Sequence, residues 1–280
     1  MYVEARRVLL DALQALQPFG PAVIVAGAQA VYLRTGSADL GIAPYTTDGD
    51  LTLDPSLLGE EPALEHVMAQ ACFRLREPRP DRPEPGIWLT DATVGGRPVP
   101  IEVDLIVPDE VGGAGRHRGA RLAGHDKRAA RRIPGMEAVL VDHTPETIAA
   151  LDPRDGRECR SEVAGVAGLL ISKLHKIHDR LAEPHRRRVN DKDAADVYRL
   201  MQTSSASEVG ARMRELKADR IAGRSTEVAL GHLDVEFGRR RGQGVAMAVT
   251  ALRLAIPEDE IRAVCAAFVE QLLDAADHGR

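Results

Sequence analysis

Apolar and polar positions along this chain follow two different periods, and the balance between them shifts near the middle. Val3 to Gln17 carries apolar residues at helical spacing and is stopped by Pro18 and Gly20. Ala22 to Ala26 is a short apolar run that reads as a buried strand. It leads through Gly27 into a helix over Ala28 to Arg34. Thr46 to Leu53 alternates with a period of two, as a strand does. Glu61 to Ala71 reads as helix, and Phe73 to Arg76 as a short strand before the proline-rich stretch Pro78 to Pro85. Ile87 to Val94 and Pro98 to Val107 flank the pair Gly95-Gly96, which predicts a β-hairpin. A glycine- and arginine-rich stretch, Gly112 to Gly135, is followed by one more expected strand at Ala138 to Val141.

Beyond His143 the pattern favours helices. They are expected at Pro145–Leu151, Val163–Leu181, Arg188–Met201, Ala206–Ile221, Thr226–Gly238, Val245–Leu254 and Glu258–Ala276. The fold class predicted is therefore α+β. A mixed sheet with helices is expected over residues 1–145 and an all-helical domain over residues 146–280.

Composition narrows the functional classes. Hydrophobic residues are 44% and charged residues 28%, which suits a folded chain in water. Aromatics are 3%, so the core is built from Leu, Val, Ile and Ala, and stacking platforms for a dedicated single-strand binder are lacking. The net charge of −5 excludes a basic nucleic-acid coat. Two local clusters still suit phosphate backbones: Arg116, Arg118, Arg121, Lys127, Arg128, Arg131 and Arg132, and then His185, Arg186, Arg187 and Arg188. Cys72, Cys159 and Cys265 have no zinc-ligand spacing and read as buried thiols of a reducing compartment. The start, MYVEARRVLL, is unlike a signal peptide, and no apolar run is long enough to span a bilayer. A cytoplasmic protein without a membrane partner is the expectation.

The strongest chemical signal is Thr46-Thr47-Asp48-Gly49-Asp50-Leu51-Thr52-Leu53. On a strand, Thr46, Asp48 and Asp50 share one face. Adjacent carboxylates repel, a cost that is tolerated where a divalent cation binds both. Ile101-Glu102-Val103-Asp104-Leu105-Ile106 offers a further acid: Ile101, Val103 and Leu105 turn to the core, Glu102 and Asp104 to the other face. Asp48, Asp50 and Asp104 form a candidate metal set of hard oxygen ligands, suited to Mg²⁺ with Mn²⁺ as the alternative. Two such ions roughly 4 Å apart would activate an attacking oxygen and stabilise leaving pyrophosphate. Gly27, at a strand-to-helix turn, would present backbone N–H groups to phosphate.

These residues resemble the nucleotidyltransferase superfold of the DNA polymerase β type. Its pattern is a glycine turn, a D-x-D strand and a third acid on a later strand. Two later segments sharpen the resemblance. Ile171-Ser172-Lys173-Leu174-His175-Lys176-Ile177-His178-Asp179-Arg180 is similar to the K-L-x-x-[LI]-x-x-R motif of the AbiEii / MenT family of toxin nucleotidyltransferases. Asn190-Asp191-Lys192-Asp193-Ala194-Ala195-Asp196 is similar to that family's K-D-x-x-D motif.

The resemblance implies metal binding by Asp48 and Asp50, a hydroxyl role for Thr46, phosphate contact by Lys173, and an essential acid at Asp193. Asp104 would be the superfold's third acid. On a helix Lys173, Lys176 and Arg180 line one side, a cationic stripe suited to a triphosphate. Asp193 and Asp196 share a face and could orient Lys173. If Lys173 serves only phosphate, its replacement by Ala leaves the fold intact. Three departures stand out: Ala28 follows Gly27 where Gly or Ser is usual, leaving Gln29 as a substitute; Gly49 separates the acids; and the arginine-rich loop is long. Gly49 is expected to loosen its strand.

The function expected is transfer of NMP from an NTP to the 3′ acceptor end of tRNA, blocking translation, with a cognate antitoxin protein as partner. The alternatives are a small-molecule nucleotidyltransferase of the aminoglycoside-modifying type, and a non-catalytic nucleotide- or RNA-binding member.

Overall fold

Val23, Ile24, Val25 and Ala26 are all buried and form the short central strand β1 (Val23–Ala26). The β-branched residues among them fit a pleated surface covered on both sides. The computed structural model, which describes residues 1–36, 45–76, 84–113, 118–182 and 191–278, builds a mixed sheet around this strand. The other strands are β2 (Asp48–Leu53), β3 (Arg74–Leu75), β4 (Ile87–Val94), β5 (Arg97–Pro108), β6 (Arg131–Ile133), β7 (His143–Ala149) and β8 (Glu158–Ala164). Their order is β3-β4-β5-β2-β1-β8-β7, with β6 beside β5. β1 runs antiparallel to β2 and parallel to β8, while β2 and β5 run parallel. The β4–β5 hairpin turns at Gly95 and Gly96, both with positive φ, as the sequence predicts.

The helix α1 (Tyr2–Ala15) packs on this sheet through Val8, Leu9, Ala12 and Leu13. Buried with them is Arg6, whose Nε donates to Gln29 Oε1 at 2.9 Å and whose Nη1 donates to the Ala149 carbonyl at 3.1 Å. Gln29 lies in α2 (Gly27–Thr35), and α3 (Leu64–Gln70) follows β2.

Later residues form α4 (Val166–Ala182), α5 (Lys192–Thr203), α6 (Ala206–Ala218), α7 (Gly223–Leu233), α8 (Gln243–Leu252) and α9 (Glu258–His278). Between α7 and α8 lies one π-helical turn, Asp234–Gly238. α6 packs on α9, α5 on α8, and α4 on both α5 and α7. Tyr198 and Phe237 are the bulkiest side chains sealed in this core.

The architecture is α+β. The chain divides into two compact units that interleave in sequence. One gathers Met1–Ala30, Pro44–Pro134 and His143–Ala164 and holds the sheet. The other gathers Val31–Ala43, Gly135–Asp142 and Gly165–Arg280 and holds the later helices.

Several local expectations are corrected. Pro145–Leu151 is not helical: His143–Ala149 is the edge strand β7, and β8 precedes the first later helix. An edge position tolerates Pro145, which has no N–H to give a further ladder. Ala138–Val141 is not a strand but lies in and just after a 3₁₀ turn, Glu137–Leu140. A four-residue buried run carries no period that separates these choices. The arginine-rich stretch contributes the unforeseen strand β6. Of the cysteines only Cys265 is buried; Cys159 is half-buried and Cys72 exposed. The basic residues Arg116, His185, Arg186, Arg187 and Arg188, together with Asn190, lie outside the described residues.

Candidate functional site

The parallel register of β2 and β5 sets Asp48 beside Glu102 and Asp50 beside Asp104. Neighbours in register project to the same face, so four carboxyl groups share one patch of sheet. The opposite face of β5 is apolar, with Ile101, Val103 and Leu105 fully buried. The expected placement of Asp104 on a strand next to that of Asp48 and Asp50 is thus present, with Asp50 as its partner in register.

Each carboxyl has its own support. The Thr46 hydroxyl, itself inaccessible, donates to Asp48 Oδ1 at 2.5 Å. Arg76 pairs with Glu102 at 3.2 Å. Arg131, from β6, donates to Asp104 Oδ2. Asp104 is buried and its Oδ1 has no hydrogen-bond partner. Burial pushes this carboxyl up to about 7, with Arg131 opposing and Asp50, Asp48 and Glu102 adding to the rise.

Two glycines make room for the acids. Gly27 has φ +61°, and a Cβ there would stand 1.8 Å from Asp50 Oδ2. The turn thus needs glycine for its backbone and for its emptiness. Gly49 lies on the core side, where a Cβ would sit 3.3 Å from Leu9 Cδ1 of α1. Its role is to let α1 close onto β2, and its backbone stays in the ladder with Val103. The expectation of a loosened strand gives way to one of close packing.

A hard divalent cation fits this patch chemically: clustered acids, an orphaned buried oxygen at Asp104, and space beside Asp50 kept by Gly27. The ligand atoms of the three aspartates do not all lie within 4.8 Å of one another. Among the described residues, the group of three metal-capable side chains whose ligand atoms all lie within 4.8 Å of one another is His178, His232 and Glu236. Gln29 is buried against α1, its oxygen held by Arg6 and its Nε2 without a partner, so it faces the core.

The remaining predicted residues sit in the helical unit. Lys173 of α4 is 4% exposed, and its Nζ donates to Asp193 Oδ1 at 2.7 Å and Asp196 Oδ2 at 2.6 Å, both from α5. Arg180 also donates to Asp193, and Lys176 approaches it at 3.4 Å. Burial opposes the charge on Lys173, but Asp193 and Asp196 outweigh it and hold the ammonium above the ordinary lysine range. Burial likewise opposes the Asp193 charge, and Lys173, Lys176 and Arg180 hold it below the carboxylate range. The stripe of Lys173, Lys176 and Arg180 exists, yet the Lys173 ammonium is committed to two aspartates. Lys176, with a side chain 46% exposed, is the accessible cation of the three.

Sequence reasoning gave no individual role to Arg131, and none to the trio His178, His232 and Glu236. Arg131 was one basic residue among seven. His232 and Glu236 carried a visible signal, since positions four apart share a helix face. Burial, with His178 and His175, holds His232 down at about 4, so its ring is neutral near pH 7. Burial pushes Glu236 up, against the pull of His178. In the first basic cluster Arg118, Arg121 and Lys127 are exposed, while Arg132 pairs with Asp109 at 2.9 Å.

Comparison of the chain with protein-family models, with curated proteins and with solved structures finds no match.

Two predictions follow from this geometry. Gly27→Ala should cost at least about 1–2 kcal/mol from the left-handed backbone alone, with Asp50 displaced in addition. Urea denaturation measures this, and wild-type stability in the variant would refute the crowding. Lys173→Ala should destabilise by about 3–5 kcal/mol, because it leaves buried Asp196 without its ion-pair partner and takes one of three cations from buried Asp193. The fold-neutral outcome expected from phosphate contact alone is therefore replaced. Asp193, depressed when folded, stabilises above the unfolded carboxylate value of about 3.9 and loses that contribution as pH falls further. Lys173, raised when folded, stabilises below about 10.4 and loses it as pH climbs through the folded value. The stability gap between wild type and Lys173→Ala should be widest between those limits and narrow in acid; a gap independent of pH would exclude the ion cluster as its source.

Proposed function

We propose that this chain is a metal-dependent nucleotidyltransferase. The observation that carries the reading is the in-register pairing of Asp50 with Asp104 across parallel strands, beside a glycine turn kept empty at Gly27. The ordered motifs that resemble the AbiEii / MenT family of toxin nucleotidyltransferases support it. In this reading Asp48, Asp50 and Asp104 hold Mg²⁺, or Mn²⁺ in its place. Once bound there, the ion would supply positive charge for the triphosphate and Lewis acidity for the attacking hydroxyl.

The reaction joins an acceptor hydroxyl oxygen to the α-phosphorus of an NTP, breaks the bond to pyrophosphate and releases the hydroxyl proton. Thr46 fixes the Asp48 carboxylate through its 2.5 Å hydrogen bond. Arg131 holds Asp104 through Oδ2, and the unpartnered Oδ1 would be the oxygen that serves the cation. Lys173 orders α4 against α5 by its two ion pairs, and the phosphate role given to Lys176 rests on the motif resemblance. The acceptor we favour is the 3′ end of tRNA, with exposed Arg118, Arg121 and Lys127 on its phosphates. A cognate antitoxin partner rests on the family resemblance. Among the described residues no helix is long and apolar enough to cross a membrane.

The test incubates folded protein with each labelled NTP, Mg²⁺ and total tRNA, beside Asp48→Ala. Label on tRNA with the wild type and none with the variant is the expected result. Absence of transfer from all NTPs sinks the reading. Because the acid patch would also suit a cationic acceptor, an aminoglycoside arm is included; label there instead of on tRNA identifies a small-molecule enzyme. Lys176→Ala should remain folded and raise KM for the NTP roughly ten- to hundredfold, the loss of a charged contact worth about 1.5–3 kcal/mol. Unchanged kinetics would remove Lys176 from the phosphate site.

A further inference from the structure

A second polar cluster lies in the helical unit, apart from the residues given roles in nucleotidyl transfer. His178 stands near the end of α4, His232 near the end of α7, and Glu236 in the π-helical turn that follows. One ligand atom from each lies within 4.8 Å of the others. His178 Nδ1 is 2.9 Å from Glu236 Oε1. The rings of His178 and His232 stack, centroids 3.7 Å apart and planes 16° from parallel.

An ion pair between His178 and Glu236 accounts for only part of this arrangement. Glu236 is 4% exposed, and its second oxygen, Oε2, has no hydrogen-bond partner. An orphaned carboxylate oxygen in a protein interior is costly and calls for an unseen partner. His232 contributes nothing to that ion pair, yet it is drawn against His178. Glu236 lies in the π-helical turn that follows α7, and such turns recur at functional sites.

We propose that His178, His232 and Glu236 bind one Zn²⁺ ion, the half-exposed His178 ring turning out of its stack on His232 so that a nitrogen of each ring meets the ion. Two imidazole nitrogens and one carboxylate oxygen are a donor set that zinc accepts, with water completing its shell. The His178 side chain is 47% exposed, so the fourth position opens to solvent. Mg²⁺ prefers oxygen donors and is not expected to compete here, unlike at the aspartates. The His175 ring meets His232 edge-on at 5.6 Å, and its Nε2 is 2.8 Å from the Ser225 carbonyl, a bond that fixes its orientation. The ion would tie α4 to α7 and the turn beyond it.

The experiment strips the full chain of metal with a chelator and titrates Zn²⁺ against a chromogenic chelator, beside calorimetry. The expected result is one equivalent per chain with micromolar or tighter Kd, undisturbed by millimolar Mg²⁺. His178→Ala, whose side chain is half outside, should fold as judged by circular dichroism and lose at least tenfold in affinity. Glu236→Gln should lose a similar factor. Cys72→Ser and Asp48→Asn should bind as the wild type does, which separates this site from a surface thiol and from the aspartates. No binding by the wild type, or equal binding by folded His178→Ala, overturns the assignment. Both outcomes are read without any transfer assay, so failure here leaves nucleotidyl transfer untouched.

Discussion

Like charges on adjacent strands set the terms for the sheet unit. Strands lie ~4.8 Å apart, and side chains in register cannot avoid one another. Asp48, Asp50, Glu102 and Asp104 are held in that relation by the β2–β5 ladder. The surroundings work to contain the repulsion: a hydroxyl for Asp48, guanidinium groups for Glu102 and Asp104, and an empty position beside Asp50. The containment is incomplete. A carboxyl sitting near 7 with one buried oxygen unmatched marks a patch short of positive charge.

The helical unit handles buried charge in a contrasting way. Around Asp193 and Asp196 the cations are already in place, and the balance needs no visitor. That completeness gives Lys173 a structural task in the fold. The cluster at Glu236 again lacks a partner for one oxygen. Satisfied sets hold the fold, and unsatisfied ones are where a ligand gains most, because the desolvation cost is already borne.

How much of this could be read in advance depended on whether the signal was periodic or tertiary. α1, the β4–β5 hairpin and the later helices carried clear periods, β1 a short apolar run before a glycine, and all lie close to where the sequence puts them. β7 did not, since His143–Ala149 is an edge strand that buries only Ile148 completely and offers little alternation. The faces of Asp48, Asp50 and Asp104 followed from alternation, but their register followed from strand order, which no local pattern encodes. Arg131 reached Asp104 through β6, a three-residue strand with no apolar signature. The stripe on α4 was legible, whereas the burial of Lys173 depended on how α5 packs over it.

The ion cluster also constrains how this sequence can change over time. Removing Lys173 takes away the ion-pair partner of buried Asp196, and removing either aspartate takes one of two carboxylates from buried Lys173, steps that selection resists. Replacing all three with apolar residues of similar volume can be neutral or even stabilising. The intermediate genotypes are therefore the barrier, and the endpoints are not. Among descendants of this chain the three positions should be retained together or lost together, so that a single exchange at one of them would point to a compensating charge nearby.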